Sequence, residues 1–265
     1  MSVQVLITTM NLNDPEKLLQ SLNINSSFVI GNQTDKDSME TFQFRGNDGL
    51  VVSRNEKGVG NNRNITLKYA TSDICVLSDD DMRFFDDYAE VVENVFDGIK
   101  DADVVIFNLG NAGDERRQTS KIKKLNKYNY MNYGAARIAF RRKSISYYGI
   151  FFNCNFGGGT SHCAGEDVLF IGECLSKGLN VYVVPQKIAM LLDNRPSTWF
   201  NGYDDKYFFD KGVFLAIANP ILAKLFALYL AIKHREYRNK GMSIFSVYKT
   251  TRKGVDYIKK KEYIR

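Results

Sequence analysis

The sequence of 265 residues predicts an α/β fold in which a mostly parallel central sheet is flanked by helices and followed by a helical C-terminal extension. Apolar runs alternate with helical patterns through the first 110 residues, as expected for strands and helices that alternate along a parallel sheet. Polar residues directly follow several of these runs, where open α/β sheets bind their ligands. Residues 201–265 show helical spacing and an excess of basic side chains.

Five short apolar runs in the first part of the chain are predicted to be buried strands, because such runs are typical of strands covered on both faces. They are Val3–Thr9, Ser27–Gly31, Leu50–Ser53, Ile74–Ser78 and Val104–Leu109. Pro15 suits the first turn of a helix over Glu16–Leu22, and a second helix is predicted over Gly58–Ala70. Apolar residues recur every three or four positions from Tyr88 to Ile99, which indicates an amphipathic helix.

The middle of the chain is less regular. Gly110–Tyr133 is polar and basic and is predicted to be a long loop, and the glycine-rich Asn153–Gly165 shows no period. The remaining predicted elements are the strand Ala135–Phe140, the helix Glu166–Lys177, and the strands Val181–Val184 and Lys187–Leu192. We therefore expect residues 1–200 to form one domain and residues 201–265 to form a helical, basic extension.

The net charge of +6 is concentrated at the end of the chain. Lys233–Arg265 contains eleven Lys/Arg and three Asp/Glu, whereas the rest of the chain is close to neutral. The apolar run Ile221–Ile232 is shorter than the about 20 residues that span a bilayer. Ile244, Val247, Tyr248, Val255 and Ile258 can share one face of a last helix that is otherwise basic. This pattern predicts an anchor on an anionic membrane surface.

The alternative for this extension is a structural appendix that covers the sheet or forms a dimer contact, and the oligomeric state stays open. Nucleic acid is not an expected partner, because the basic segment lacks a recognised binding motif. No secretory pattern follows Met1, and the cysteines lack paired spacing. They are Cys75, Cys154, Cys163 and Cys174. We therefore expect free thiols and no zinc site. We also expect a cytoplasmic protein that is peripheral at the inner face of the cell membrane.

Three consecutive carboxylates, Asp79–Asp81, follow the predicted strand Ile74–Ser78. Adjacent negative charges repel one another unless a cation lies among them, and Mg²⁺ and Mn²⁺ prefer oxygen ligands. The alternative is a solvated turn before the next helix, but Asp86 and Asp87 can cap that helix. The run therefore predicts a divalent metal that grips a diphosphate.

Polar residues follow the other strands as well. Thr9 and Asn11 follow the first strand and Asn32 the second, where a nucleoside could bind. Gly58-Val59-Gly60 resembles the start of a dinucleotide-binding loop, but Arg63 occupies the place of the third glycine. An arginine there opposes a dinucleotide fold and favours contact with an anion.

Glu166 and Asp167 lie at the start of a predicted helix, after the glycine-rich stretch Gly157–Gly159. A carboxylate at a helix N-terminus stays ionised and can accept a proton from a hydroxyl nucleophile. Helix capping is the structural alternative. His162, in the same loop, is a candidate metal ligand or acceptor contact, although a lone loop histidine is more often a surface residue.

Taken in order, the segments Val3–Asn11, Gly58–Asn64, Ser78–Asp81 and Gly165–Asp167 resemble the motifs of family 2 glycosyltransferases with the GT-A fold, a Rossmann-like fold. The resemblance covers residues 3–192 and implies a nucleotide-sugar half over about 1–110 and an acceptor half over about 111–200. It implies a metal-dependent, inverting transfer from a nucleoside-diphosphate sugar to a saccharide or lipid-linked saccharide, in surface polysaccharide synthesis.

The resemblance also implies roles for single residues. Asp79 and Asp81 would hold Mn²⁺ or Mg²⁺, with Asp80 near the donor ribose or sugar. Asp167 would be the general base, and Glu166 would contact the acceptor or the donor sugar. Nucleotide contacts are expected from Thr9, Asn11, Asn32, Arg54 and Arg63.

Two other functions remain as alternatives. A sugar-nucleotide nucleotidyltransferase would carry a glycine-rich, basic loop after the first strand, and Thr8–Asn13 has neither glycine nor a basic residue. A non-catalytic binding protein of the same fold would not need both the triple Asp and the Glu-Asp pair. A phosphatase with an aspartyl nucleophile is excluded, because no Asp ends the first strand.

Overall fold

A computed structural model describes residues 1–110, 118–134, 136–192, 202–233 and 236–260. The described residues fall into two compact units. The first contains those of Met1–Asn155 and Glu166–Pro196, and the second contains Phe156–Gly165 together with the helices after residue 201. The sequence predicts a boundary near residue 200, but it does not predict that the segment before Glu166 groups with the C-terminal helices.

Strands of the described residues form one mixed sheet in the first unit. They are β1 (Val3–Met10), β2 (Ser27–Gln33), β3 (Ser38–Phe44), β4 (Asn47–Arg54), β5 (Ile74–Asp79), β6 (Met82–Phe84), β7 (Val104–Leu109), β8 (Lys123–Lys124), β9 (Ile138–Arg141) and β10 (Val181–Leu191). Their order is β3-β4-β2-β1-β5-β9-β7-β10-β6, with β8 beside β10. The strands β4, β2, β1 and β5 are parallel to one another, which confirms the predicted α/β class.

Helices flank this sheet and form most of the second unit. They are α1 (Pro15–Leu22), α2 (Val59–Tyr69), α3 (Tyr88–Gly98), α4 (Arg142–Tyr147), α5 (Glu166–Ser176), α6 (Asp205–Ala218), α7 (Ala223–Lys233) and α8 (Ile244–Lys260). One apolar core contains Val5, Ile7 and residues of α1 and α3, and another contains Leu6, Leu77 and residues of α5. Successive side chains of β1 thus enter opposite cores, as the alternation of a strand requires.

Several elements differ from the prediction. The strand β3 was not predicted, because its side chains are mostly exposed and it pairs only through an antiparallel hairpin with β4. The two predicted strands Val181–Val184 and Lys187–Leu192 are one strand, β10, whose pairing with β7 shifts register on both sides of Lys187. Part of the predicted loop Gly110–Tyr133 lies outside the described residues, including Arg116 and Arg117.

The second unit is helical, as predicted for the end of the chain. The helices α6 and α8 pack closely at two glycines. A Cβ at Gly212 or at Gly254 would collide with the backbone of the other helix, so both positions require glycine. Val247 and Val255, on the predicted anchor face of α8, are buried in this unit. That face therefore packs at least partly against protein. No helix of the described residues is long and apolar enough to cross a membrane.

Candidate active site

The polar segments that follow four strands lie along one edge of the sheet. Because β1, β2, β4 and β5 are parallel, their carboxyl ends coincide. Thr8 pairs in register with Asp79, and Thr9 pairs with Asn32. The structure thus brings together side chains that are up to about 70 residues apart in sequence, at the edge where open α/β sheets bind ligands.

The carboxylate run is held by hydroxyl groups of β1. Asp79 ends β5, and Asp80 and Asp81 form the turn into β6. The Thr8 hydroxyl donates to Asp79 Oδ1 at 3.2 Å, and the Thr9 hydroxyl donates to Asp80 Oδ2 at 2.6 Å. Hydrogen bonds of this kind fix the orientation of a carboxylate.

Arg63 links the carboxylate run to α5. Its Nη2 lies 2.9 Å from Asp79 Oδ1 and its Nη1 lies 2.6 Å from Glu166 Oε1. The guanidinium also lies over the ring of Phe152, 5.6 Å from its centroid. Burial alone would lower the pKa of Arg63, but the negative charges of three carboxylates, foremost Asp79, raise it. The side chain is therefore a permanent cation between two acidic segments.

These contacts bear on the role expected for Arg63. The residue is only 4% exposed, and both terminal nitrogens already contact carboxylates. A direct contact with a diphosphate would require these contacts to break. The geometry favours a positioning role instead, in which Arg63 fixes the distance between Asp79 and Glu166.

The Glu-Asp pair begins α5, as predicted. Glu166 is buried and contacts Arg63, whereas Asp167 keeps part of its surface accessible. Asp167 Oδ1 accepts a hydrogen bond from the Val168 amide at 2.7 Å. A Cβ at Gly134 would lie 3.0 Å from Asp167 Oδ2, so glycine leaves space beside this carboxylate. The two acidic residues therefore differ in environment: Glu166 is buried against Arg63, whereas Asp167 is partly exposed.

The buried side of α2 is polar, which explains how it is fixed to the strand ends. The Asn62 amide donates to the carbonyl oxygens of Thr9 and Gly31 at 3.0 and 2.9 Å. A Cβ at Gly60 would lie 2.6 Å from the Asn153 carbonyl oxygen. Gly60 thus permits close packing of α2 on a neighbouring backbone segment, and the Gly-Val-Gly pattern here has a structural reason.

The residues expected to contact the nucleotide differ in exposure: Asn32 is buried, whereas Asn11 is exposed. Asn32 is 4% exposed, accepts from the Leu12 amide at 2.9 Å and donates to the Ser53 hydroxyl at 3.0 Å. Arg54 Nη1 donates to the Ser53 carbonyl at 2.8 Å. Asn11 is exposed and has a positive φ of 50°, which turns the chain away after β1. Asn11 offers an accessible side chain at this edge, whereas Asn32 braces the adjacent strand ends.

The donor set of the carboxylate run fits a hard divalent cation that a substrate helps to hold. Within the described ranges, no group of three or more His, Cys, Asp or Glu side chains is preformed for a metal. Mg²⁺ is commonly bound by one or two carboxylates together with substrate phosphates and water, so a full protein cage is not required. Thr8 and Arg63 both contact Oδ1 of Asp79. The residues present are compatible with a metal completed by a diphosphate.

His162 lies in the second unit and is buried, not on the surface. Its Nδ1 lies 2.9 Å from Asp210 Oδ1, and its buried Nε2 makes no hydrogen bond with the described residues. Asp210 Oδ2 also accepts from the Cys163 amide and from Lys206, at 3.2 and 2.7 Å. Burial would raise the pKa of Asp210, but its hydrogen bonds with His162, Lys206 and the Cys163 amide lower it. Asp210, which belongs to α6, therefore fixes the segment that contains His162 and Cys163 against this helix.

Replacing Asp210 by Ala is expected to lower the free energy of unfolding by about 1–3 kcal/mol, because buried donors lose their acceptor. The lowered pKa means that this contribution is present at neutral pH and is lost as the pH falls below about 4. Urea denaturation at pH 7 and at about pH 2.5, well below the unfolded-state pKa, measures both effects. Asp97→Ala, at an exposed position of α3, is the control and should change stability little. Equal stability of the two variants at pH 7 would contradict this role.

The sequence motifs contain Thr8 and Asn62 but assign them no role, and they do not single out Gly134 or Phe152. The sequence carries one signal for these residues, because the predicted helix Gly58–Ala70 has no apolar stripe. In the structure, the buried residues of this helix are polar or small. A helix of this kind that packs on strand ends indicates a polar site. The partners of Arg63 carry no such signal, because Glu166 is 103 residues away.

Comparison with models of protein families identifies one family. The model of the family described as "Glycosyl transferase family 2" matches residues 16–161, more than half of the chain. A search of curated protein sequences finds no significant match. The structure resembles S. aureus TarS 1–349 in complex with UDP-GlcNAc, with a TM-score of 0.63 and 14% identity over 97% of this chain and 84% of that one.

A second solved structure is more distant but covers the chain equally well. It is the mannosyltransferase PcManGT from Pyrobaculum calidifontis in complex with GDP-Man and Mn²⁺, with a TM-score of 0.52. Identity is 12%, over 99% of this chain and 76% of that one. At these identities the two likenesses establish the fold, which is the GT-A fold predicted from the sequence motifs.

Proposed function

Because the chain belongs to glycosyl transferase family 2, we propose that it moves a sugar from a nucleoside-diphosphate donor to a hydroxyl of a saccharide acceptor, with inversion at the anomeric carbon. One observation carries this proposal: Arg63 joins the Asp79–Asp81 run to the Glu166–Asp167 pair within a single hydrogen-bonded network. The nucleotide-sugar complexes of TarS and PcManGT support a donor of this class.

The donor half of the proposed reaction uses the edge of the sheet. Asp79 and Asp81 would hold Mn²⁺ or Mg²⁺, with Asp80, oriented by Thr9, near the ribose or sugar. When bound, the ion would offset negative charge on the departing nucleoside diphosphate. Asn11 is the accessible candidate for a nucleoside contact. Asn32 supports the same contact by joining the ends of β2 and β4, and Arg54 donates to the Ser53 carbonyl within β4.

The acceptor half uses Asp167. Its carboxylate takes the proton of the acceptor hydroxyl while that oxygen attacks the anomeric carbon and the diphosphate leaves from the opposite side. The helix N-terminus favours the ionised form that this step requires. Glu166 keeps Arg63 in place and so maintains the separation of base and metal site. A single displacement of this kind inverts the configuration of the sugar.

We further propose a lipid-linked saccharide of surface polysaccharide synthesis as the acceptor, at the inner face of the cell membrane. The basic end of the chain supports this proposal, because anionic lipid surfaces attract such segments. Membership of the family disfavours the nucleotidyltransferase alternative, since that reaction would form a sugar nucleotide and not consume one.

Replacing Asp81 by Ala is expected to weaken Mn²⁺-dependent binding of the donor at least about tenfold, because the metal loses a charged oxygen ligand. Calorimetry with UDP-GlcNAc and with GDP-mannose as probes, with and without Mn²⁺, measures this effect. Asp97→Ala, at an exposed carboxylate of α3, is the control and should bind like the wild type. If Asp81→Ala binds both probes as tightly as wild type in Mn²⁺, the proposed metal site is wrong.

A further inference from the structure

The helix α7 presents two different faces. Its three buried residues are Ala223, Ala227 and Ala231, which form one small-residue stripe. Large apolar side chains lie on the other side: Leu225 is 60% exposed, Leu228 41%, Tyr229 57% and Ile232 53%. At 100° per residue these four fall within an arc of about 100°. We call this arc, together with the 91% exposed Ile221 just before the helix, the α7 stripe.

Single exposed apolar residues are common, but a contiguous patch on one helix face marks an interaction surface. The α7 stripe includes two neighbouring turns of the same helix and has no polar residue inside it. With eleven residues the helix is too short to cross a bilayer, which takes about 20. A surface on which α7 lies flat is therefore the kind of partner that fits.

The charges beside the stripe identify that surface. Lys224 and Lys233 are both exposed and border the arc on its two sides, and no Asp or Glu occurs within α7. The Lys233 ammonium lies 5.4 Å from the centroid of the Tyr229 ring at the edge of the stripe. Lys224 lies 3.7 Å from Asp256, in a contact where both side chains are about half exposed. Such a pair is weak, so Lys224 can turn to a stronger anionic partner.

An apolar arc bordered by lysines is the pattern of a helix that lies in the interface of an anionic bilayer. Apolar side chains enter the acyl region, while lysines reach the anionic headgroups. A symmetric dimer through the same face fits less well, because it would bring the exposed lysines of two copies together. The helix α7 itself carries no acidic residue, and the half-exposed contact of Lys224 with Asp256 offsets this repulsion only weakly.

We propose that α7 docks the protein on anionic lipid membranes through the α7 stripe. The contact differs from the one expected from the sequence, which assigned the anchor to the face of α8 that contains Val247 and Val255. Those side chains are buried in the second unit. The proposal does not depend on the sugar-transfer chemistry, because none of its residues belongs to the candidate active site.

Vesicle flotation of the full chain tests the proposal, with vesicles of pure phosphatidylcholine and with vesicles containing 30% phosphatidylglycerol as a chosen composition. The wild type should float with the anionic vesicles. The double variant Leu225→Gln/Ile232→Gln should reduce the vesicle-bound to free ratio at least tenfold, and Lys224→Gln/Lys233→Gln should reduce it at least threefold on anionic vesicles only. Met39→Gln/Ile122→Gln, at exposed apolar positions of the first unit, is the matched control and should float like wild type.

Two further measurements keep the outcome clear. All variants should retain the wild-type melting temperature and the wild-type rate of donor consumption with a water-soluble acceptor, so a failure of the proposed enzyme function would be recognised separately. Flotation of Leu225→Gln/Ile232→Gln at the wild-type level would overturn the proposal. It would also be overturned if wild type failed to float but formed dimers in sedimentation equilibrium that this variant abolished.

Discussion

Replacing Asp167 by Asn is expected to reduce sugar transfer by about 10²–10⁴-fold, the range that a general base contributes. The amide has nearly the same shape and can still accept the hydrogen bond that the Val168 amide donates to Oδ1. It cannot take a proton from the acceptor hydroxyl. Initial rates of nucleoside diphosphate release, measured with saturating donor and acceptor, give the size of the loss.

Binding separates this explanation from a damaged site. Asp167→Asn should bind UDP-GlcNAc or GDP-mannose in Mn²⁺ as wild type does, because the carboxylate run and the Arg63 network are unchanged. Asp97→Asn, an exposed carboxylate on α3, is the control for loss of a charge and should retain full activity. Turnover of Asp167→Asn within about threefold of wild type would exclude Asp167 as the base, since even weak general-base catalysis is larger.

Replacing Arg63 by Met is expected to lower the free energy of unfolding by about 3–5 kcal/mol, the usual cost of removing one partner of a buried ion pair. Glu166 would be left as a buried carboxylate without its 2.6 Å partner, and Asp79 would lose a contact of 2.9 Å. Arg63→Lys should also destabilise the protein, because one ammonium group cannot place separate donors on Asp79 and Glu166 as the two terminal nitrogens of the guanidinium do. Urea denaturation gives both values.

A double-mutant cycle tests whether the loss comes from this network. Adding Glu166→Gln to Arg63→Met should restore part of the stability, because the buried carboxylate that faces the guanidinium in the wild type is also removed. Lys68→Met, at an exposed position of the same helix, is the control and should change the free energy of unfolding by less than about 0.5 kcal/mol. Additive effects of Arg63→Met and Glu166→Gln would contradict the proposed bridge.

Much of the fold could be predicted because its signals are local. Each parallel strand at the centre of the sheet is an apolar run, and α3 carries a regular apolar stripe. The strand β3 could not be predicted in this way, because most of its side chains are exposed and only pairing with β4 makes it a strand. Asp79, Asp167 and Asn32 were identified by their positions after a strand or at a helix start. Whether each faces substrate or protein depends on neighbours from other segments.

The sequence alone determined the class of the fold, the edge of the sheet that carries the polar groups and the family to which the chain belongs. These follow from short-range patterns of apolar and charged residues, which act within one strand, one helix or one turn. Only the tertiary structure decided that Arg63 bridges two acidic segments, that Gly60 serves packing, and that α7 exposes an apolar arc whereas Val247 and Val255 of α8 are buried. The physical reason is that burial and ion pairing are set by groups distant in the chain, such as Arg63 and Glu166, which are 103 residues apart.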